Sequence, residues 1–325
     1  MTQVSIISQD VVKQVVTRRM AYDAIQGAFE ALADGQAEVL KVAFGQGFNS
    51  GESYGVKMGA DRAQRNLGLK IGSYWPGNGA LGLPAHGSTI VLIDPATGFP
   101  EAIVGAAYLN GFRTAAADAI AVNHLARADA SVLGVIGAGH QAEHEIRAVM
   151  EVRELELIRV STRSEQRAAW LAGRLQDIGI TVEFTTAETA VRDADIVITV
   201  TPSREAIVQQ QWVRPGTHVS AMGADASGKQ ELDPDIVAGA RLFADYPHQS
   251  VEIGEFQHAY SAGQIRSVED IVPLGKVSQS PASGRRSNDE VTVFDSSGIA
   301  IQDLSIARAV LDEARARGLD QTMDL

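Results

Sequence analysis

An apolar run that leads straight into a glycine-rich turn, Val132-Leu-Gly-Val-Ile136 followed by Gly137-Ala-Gly139-His-Gln-Ala142, restricts this chain more than any other feature. A helical stretch, Glu143 to Met150, comes next. The spacing has a steric meaning: Gly137 makes a tight turn, Gly139 lets a pyrophosphate approach the backbone, and the small Ala142 lets the helix sit close to the strand. The free N–H groups and positive dipole end of that helix then face the phosphates. Downstream, apolar strands alternate strictly with helical stretches, at Val132 to Ile136, Leu157 to Ser161, Val182 to Thr185, Asp195 to Val200, His218 to Met222 and Arg241 to Asp245, and a further apolar strand, Val291 to Phe294, follows later. Such alternation predicts βαβ units and a parallel sheet covered on both faces, a Rossmann-type doubly wound α/β fold. Within it, residues 263–290 read as a polar surface loop and Ser305 to Arg317 as a last helix stopped by Gly318.

The first part of the chain has a different character. After the apolar run Val4 to Ile7, the positions Met20, Ala24, Ile25, Ala28, Phe29 and Leu32 fall at helical spacing, with Asp34-Gly35 as the stop. Ser53 to Met58, Leu67 to Tyr74 and Ser88 to Ile93 then read as strands, broken at Phe44 to Ser50 and at Pro76 to Gly79. Asp94 to Gly98 reads as a turn between antiparallel strands. This predicts an antiparallel or mixed sheet carrying helices, an α+β domain. A length of 325 residues accommodates two domains of about 150 residues each.

Charge and composition exclude several classes of partner. The chain carries 28 basic and 40 acidic residues, a formal charge of −12, which disfavours nucleic acid and anionic membranes. It has no cysteine, hence no disulfide, thiolate metal site or cysteine nucleophile. No basic region leads into an apolar stretch at the N-terminus, and no apolar run approaches about 18 residues. A soluble, cytoplasmic protein without a membrane or nucleic-acid partner is expected. No histidine–carboxylate pattern suggests a metal, and no GxSxG elbow suggests a hydrolase.

For an acidic protein, the first half holds an unusual set of cations: Lys41, Lys57, Arg62, Arg65, Lys70 and Arg113. Arg62 and Arg65 lie in a polar stretch and read as solvated charges. Lys70 lies in the apolar strand Gly68-Leu-Lys-Ile-Gly72, where burial would make its proton mobile. Arg113 opens an apolar helix, where a guanidinium can grip a carboxylate with two parallel hydrogen bonds. His86, among small residues, is either a substrate contact or a satisfied loop histidine. In the second half, Asp225 follows the strand His218 to Met222, at the edge where ligands of parallel sheets bind. A carboxylate there can handle a proton on an amine or activate water, with Glu231 and Asp233 left to cap the next helix. At the end of the second strand of the Rossmann unit stand Ser161, Thr162 and Arg163. With no carboxylate for a ribose 2′-OH, this set suits either the 2′-phosphate of NADP or a neutral ribose site for NAD.

Taken together these residues resemble the ornithine cyclodeaminase/μ-crystallin family. The resemblance rests on Gly68-Leu-Lys70, Pro76-Gly-Asn78, Phe112-Arg-Thr-Ala-Ala116, Gly137 to Ala142, Gly223-Ala-Asp225 through Glu231, Asp245 to Gln249 and Thr292 through Asp303. It implies a substrate-binding and dimerisation domain over residues 1–115, joined by a C-terminal helix at 303–325, and a dinucleotide domain over 116–302. It also implies a homodimer and bound NAD(H) or NADP(H). Lys70 and Asp225 take catalytic roles by this resemblance, and Arg113 holds the substrate carboxylate with Lys70. Lys41 stands near a position where the family usually has a second arginine. The implied cofactor set is Thr114, Gly137, Ala138, Gly139, His140, Gln141, Ser161, Thr162, Arg163, Thr201, Met222, Gly223, Ser297 and Gly298. Cyclodeaminases of the family hold the distal amine of their substrate with an acid before a Met-Pro pair. Here the stretch is Gly55-Val-Lys57-Met-Gly59, whose lysine would repel that amine. The expectation is therefore an NAD(P)H-dependent α-imino acid reductase, or amino-acid dehydrogenase in reverse, with an acidic small-molecule substrate such as iminosuccinate. Ornithine cyclodeaminase and cyclic ketimine reductase are the alternatives.

Overall fold

The structure, a computed structural model, describes residues 3–325, so the first two residues of the expected N-terminal domain lie outside it. The chain forms two compact units, one running up to Arg113 and resuming over Ile299–Leu325, the other spanning Thr114–Gly298. No described helix is long and apolar enough to cross a membrane.

The first unit opens with β1 (Gln3–Ile7), α1 (Gln9–Val15) and α2 (Arg18–Ala33). Thr17 caps α2 by accepting the N–H of Met20, and Ala21, Ile25, Ala28 and Phe29 bury one face of it. Gly35, with φ 67°, ends the helix cheaply because it has no Cβ. Next come β2 (Ala37–Val39), β3 (Ala43–Gln46), β4 (Ser53–Asp61), β5 (Asn66–Tyr74), β6 (His86–Ile93) and β7 (Pro100–Gly105). The expected break at Phe44 to Ser50 is thus partly a strand, because β3 pairs along β4 from Ala43↔Val56 to Gln46↔Ser53. The turn Asp94 to Gly98 does join antiparallel neighbours, β6 and β7. The helix α3 (Leu109–Leu125) starts earlier than the expected Thr114, which puts Arg113 in its second turn.

The second unit comprises β8 (Val132–Ile136), α4 (His140–Val149), β9 (Leu157–Ser161), α5 (Glu165–Arg174), β10 (Thr181–Thr185), α6 (Ala187–Arg192) and β11 (Ile196–Thr199). It continues through β12 (Arg204–Val208), β13 (His218–Ala221), β14 (Gln230–Leu232), α7 (Pro234–Gly239), β15 (Arg241–Ala244), α8 (Pro247–Ile253) and α9 (Gln257–Ser261). It closes with β16 (Val272–Pro273), α10 (Leu274–Gln279) and β17 (Thr292–Asp295). The sheet order is β10-β9-β8-β11-β13-β17-β15-β16, with parallel pairing throughout. The order reverses between β8 and β11, the topological switch point where such sheets take ligands. Strands β11, β13 and β17 are buried along their whole length, as strands covered on both faces must be.

Two expectations need correction here. The alternation is not strict, since no α-helix joins β11 to β13; that connection carries β12, which pairs with β14 in a separate two-stranded sheet. Residues 263–290 are not one surface loop either. They hold β16 and α10, with Ile271, Leu274 and Val277 buried. The side chain of Arg285 in this stretch donates to the carbonyl of Leu125 and to the hydroxyl of Thr292. Their glycines and serines punctuate short, anchored elements.

The chain then returns to the first unit as α11 (Ala300–Ala316) and β18 (Gln321–Asp324). The first unit's sheet runs β18-β1-β7-β6-β5-β4-β2, with β3 also on β4. The helix α11 packs on α2 and on β4, β5 and β6. A Cβ at Gly59 of β4 would stand 3.2 Å from Ala300 and Ile301, so glycine lets the helix lie close to the sheet. The first turns of α11 are buried all round, from Ala300 to Ala307, which is why a one-face pattern locates only its second half.

Candidate active site

In the first unit, a buried acid gathers the cations. Lys57 and Lys70 are direct cross-strand partners on β4 and β5, so both point to the face that α11 covers. The ammonium of Lys70 donates to Asp303 Oδ1 at 2.9 Å and to Asn110 Oδ1 at 2.6 Å. The Arg113 guanidinium approaches the same Asp303 oxygen at 3.3 Å and donates to Gln302 Oε1 at 3.3 Å. Asp303 is 2% exposed and lies in the first turn of α11, where the helix dipole favours an anion. Burial alone would raise its carboxyl, but Lys70, Arg113 and Lys57 outweigh that and hold it below the usual carboxylate range. Burial brings Lys70 down to about 8; Asp303 opposes the shift, while Arg113 and Lys57 add to it. Lys70 is therefore poised to exchange a proton near neutral pH.

The other expected substrate residues lie elsewhere on the first unit's sheet. His86 is exposed at the first residue of β6, its ring 4.7 Å from that of Tyr74, its partner on β5. That is four residues along the strand from Lys70, or about 13 Å at the rise of a β-strand. Lys41 is exposed between β2 and β3. Asp303, Asn110 and Gln302 took no role in the sequence reading. All three lie just before the helices the sequence predicts, and their polarity becomes informative only once α3 and α11 extend over them and Lys70 is opposite.

In the second unit, β8 delivers the chain into the turn. Gly137 has φ 119°, and a Cβ there would meet the carbonyl of Val200 at 2.9 Å. Its N–H donates to the carbonyl of Ser161 at 2.9 Å, joining the turn to the end of β9. A Cβ at Gly139 would meet nothing within 4 Å, so the backbone borders open space. Gly139 is the N-cap of α4 and gives it no side-chain cap. The turn and the uncapped helix end thus fit a pyrophosphate. Ala138 and Ala142 are buried beneath. Gln141 turns its side chain to Glu145 at 2.7 Å, and the His140 ring rests on Trp170, so both face the turn through their backbone N–H. Thr162 accepts the N–H of Ser164, which caps α5, and Arg163 between them is exposed.

Further along the carboxyl edge of this sheet, Asp225 is exposed beyond β13 and pairs with Lys229 at 2.5 Å. It caps no helix. Of the two residues expected as caps, Asp233 does cap α7, but Glu231 does not. Glu231 is fully buried and accepts from the N–H of Thr201 at 2.6 Å, the N–H of Gly223 at 2.9 Å and the hydroxyl of Thr199 at 2.8 Å. Met222 is buried next to Gly223. Ser297 and Gly298, at the end of β17, are held by Gln249, and the Gly298 N–H donates to Asp245 at 2.8 Å. Thr114 is half-buried on α3.

The profile of the ornithine cyclodeaminase/mu-crystallin family matches residues 3–318. The chain is 37% identical over 323 residues to the iminosuccinate reductase of Paracoccus denitrificans, covering 98% of this chain and 99% of that protein. A crystal structure of that reductase in complex with NAD+ superposes with a TM-score of 0.93, at 36% identity and full coverage of both chains. The chain is 35% identical over 315 residues to the alanine dehydrogenase of Archaeoglobus fulgidus, covering 97% of this chain and 96% of that one. The Delta(1)-pyrroline-2-carboxylate reductase of Thermococcus litoralis, solved with NADH and L-proline, matches with a TM-score of 0.91 at 28% identity, over 98% and 99% of the two chains.

Proposed function

The chain belongs to the ornithine cyclodeaminase/mu-crystallin family, and we propose that it is an NAD(P)H-dependent reductase of an α-imino acid whose side chain carries a second carboxylate, such as iminosuccinate. In reverse it is an amino-acid dehydrogenase. The observation that carries the proposal is the cationic cluster around Asp303: Lys70 and Arg113 pair with this buried carboxylate, and Lys57, the cross-strand partner of Lys70, is close enough to act on its charge. Two buried cations held within reach of each other, with a third as cross-strand neighbour, favour an anionic ligand over a cationic one, which they repel. A dicarboxylate supplies two anionic ends. A substrate with a distal ammonium, as ornithine has, meets Lys57 instead.

Reduced nicotinamide, when bound, would supply the hydride for the α-carbon. The chain's own residues do the rest. Arg113 and Lys70 hold the α-carboxylate, which fixes the angle of the C=N bond. Lys57 meets the second carboxylate. The Lys70 ammonium, near its working pH, gives a proton to the imine nitrogen as the C=N bond is reduced, and Asp225 shares the handling of that proton. The turn from Gly137 to Gly139 and the α4 terminus would hold the pyrophosphate, with Ser161, Thr162 and Arg163 towards the ribose and Thr201, Met222, Gly223, Ser297 and Gly298 towards the nicotinamide.

The assembly is a homodimer in this proposal. The face of the first unit's sheet opposite Lys70 carries Tyr54, Val56, Met58, Leu69, Ile71 and Val91, all exposed or half-exposed and apolar apart from the tyrosine hydroxyl. A second copy of the chain covering this face removes it from water.

The test is consumption of NADH or NADPH by the purified protein with oxaloacetate and ammonia. Pyruvate with ammonia and a cyclic ketimine are run beside it, and ornithine with NAD+ is run for released ammonia. Preference for oxaloacetate supports the proposal. Proline and ammonia from ornithine without net change in cofactor would overturn it.

A further inference from the structure

Parallel pairing of β11 with β13 ends at Thr199↔Ala221, with one more bond from the Met222 N–H to the Thr199 carbonyl. Beyond that point the two strands give way to loops carrying Thr201 and Gly223. There the carboxylate of Glu231 takes over from the ladder: Oε1 receives the N–H of Thr201, and Oε2 receives the N–H of Gly223. A Cβ at Gly223 would lie 2.5 Å from Glu231 Oε2 and 2.3 Å from the Thr201 carbonyl, so glycine makes room for the carboxylate. Glu231 is itself fixed, because its N–H and that of Leu232 donate to the buried carboxylate of Glu255 at 2.9 and 2.7 Å. The Glu255 N–H donates in turn to Asp295 at 3.1 Å, at the end of β17. Among the described residues these acids form no group placed to hold a metal ion. Their partners in these contacts are backbone N–H groups and hydroxyls.

Resting on the proposed reductase reading, we infer that Glu231 is a positioning residue for hydride transfer, acting through the backbone of Thr201 and Gly223 to set the loop that carries Asp225 and borders the nicotinamide side of the cofactor site. A buried carboxylate is a costly way to join two loops, and an apolar side chain would fill the same space more cheaply. What only a carboxylate provides is acceptance from three donors at once, two of them backbone groups on different loops. Burial pushes the Glu231 carboxyl up, while Thr201, Thr199 and Gly223 pull it down by donating to it. Asp225 lies two residues beyond Gly223, so a shift of that N–H is passed directly to it.

The diagnostic variant is Glu231→Gln. It keeps the shape but turns an NH2 group towards a donor, leaving one N–H or hydroxyl unmet. The expected result is a fall in kcat of about 10- to 100-fold, the scale of a small misplacement of reacting groups. The substrate KM stays within about threefold, and the isotope effect with NADH deuterated at the transferred position rises as the hydride step becomes limiting. Affinity for ADP-ribose, which lacks the nicotinamide, stays within about twofold, while the unmet buried donor lowers the urea midpoint without unfolding the protein under assay conditions. Unchanged kcat and isotope effect would overturn the inference, and so would parallel losses of ADP-ribose binding and stability. If the unaltered protein reduces no imino acid, the reductase reading fails by itself. Glu231 is then judged by NADH affinity relative to ADP-ribose affinity: a ratio that drops in Glu231→Gln supports the inference, and an unchanged ratio overturns it.

Discussion

The Lys70 ammonium and the Asp303 carboxylate meet at 2.9 Å with both side chains almost wholly buried, although 233 residues separate them in sequence. One lies mid-strand and the other in the first turn of the helix that packs on that strand. The pair is therefore made by folding and by nothing local. It has opposite effects on its members, since each holds the other charged against burial.

Asp303→Asn removes the charge that resists the downward shift of Lys70. The Lys70 pKa, about 8 with Asp303 present, falls by roughly one to three units, the usual influence of an adjacent charge. Imine reduction uses the ammonium form, so activity declines as pH rises through this pKa. In Asp303→Asn that decline begins at lower pH. Profiles of kcat/KM from about pH 6 to 9 for both proteins decide the matter. Coincident alkaline limbs would show that Lys70 does not supply the proton.

Lys57→Ala tests the second carboxylate. A hydrogen bond to a charged group contributes about 1.5–3 kcal/mol, so kcat/KM for oxaloacetate with ammonia is expected to drop about 10- to 100-fold. The value for pyruvate with ammonia is expected to change less than about threefold, since only the α-carboxylate end is shared. Equal losses on both substrates would assign Lys57 to the α-carboxylate or to the fold.

The contrast between these residues explains what the sequence made legible. Gly137, Gly139 and Ala142 could be read because turn, phosphate approach and helix packing are local demands, written within six consecutive residues. The strands of the parallel sheet were legible because burial on both faces makes them continuously apolar. Lys70 and Arg113 stood out as charges in apolar surroundings. Asp303 did not, because an acid near a helix start is ordinary, and only the packing of α11 on β5 makes it a counter-ion. Glu231 reads as a cap for a similar reason: its partners, Thr199, Thr201 and Gly223, come from the end of β11 and from the loops that follow β11 and β13. The first turns of α11 were missed because a helix buried on every side has no amphipathic period.

Gly137→Ala and Gly139→Ala separate folding from binding in the same turn. At Gly137 the positive φ and the Val200 carbonyl leave no place for a Cβ, so the variant loses stability, by about 1–3 kcal/mol for backbone strain. At Gly139 a Cβ meets no protein atom within 4 Å and φ is −87°, so stability stays within about 0.5 kcal/mol. NADH affinity of that variant nevertheless falls at least about tenfold, because the methyl occupies space the pyrophosphate needs. Urea melts and NADH fluorescence titrations measure the two effects. Undiminished NADH binding by Gly139→Ala would place the pyrophosphate elsewhere.

Asp118 gives the second unit a pH dependence of its own. It is fully buried on α3, where burial raises its carboxyl to about 6, the nearby Ser220 and Glu145 side chains only partly opposing the shift. Unfolded, it titrates near 3.8. Between these values the native protein binds a proton there that the unfolded chain has released, so stability falls as pH rises from about 4 to 6, by at most about 1.4 kcal/mol per pH unit for one proton. Above about 6 both states are ionised and the dependence ends. Asp118→Asn keeps the shape and removes the titration. The difference in unfolding free energy between variant and unaltered protein, followed by urea melts across that range, is expected to move in favour of the variant as pH rises and then to level off. A difference that stays constant from pH 4 to 7 would mean that Asp118 is ionised in the native state throughout.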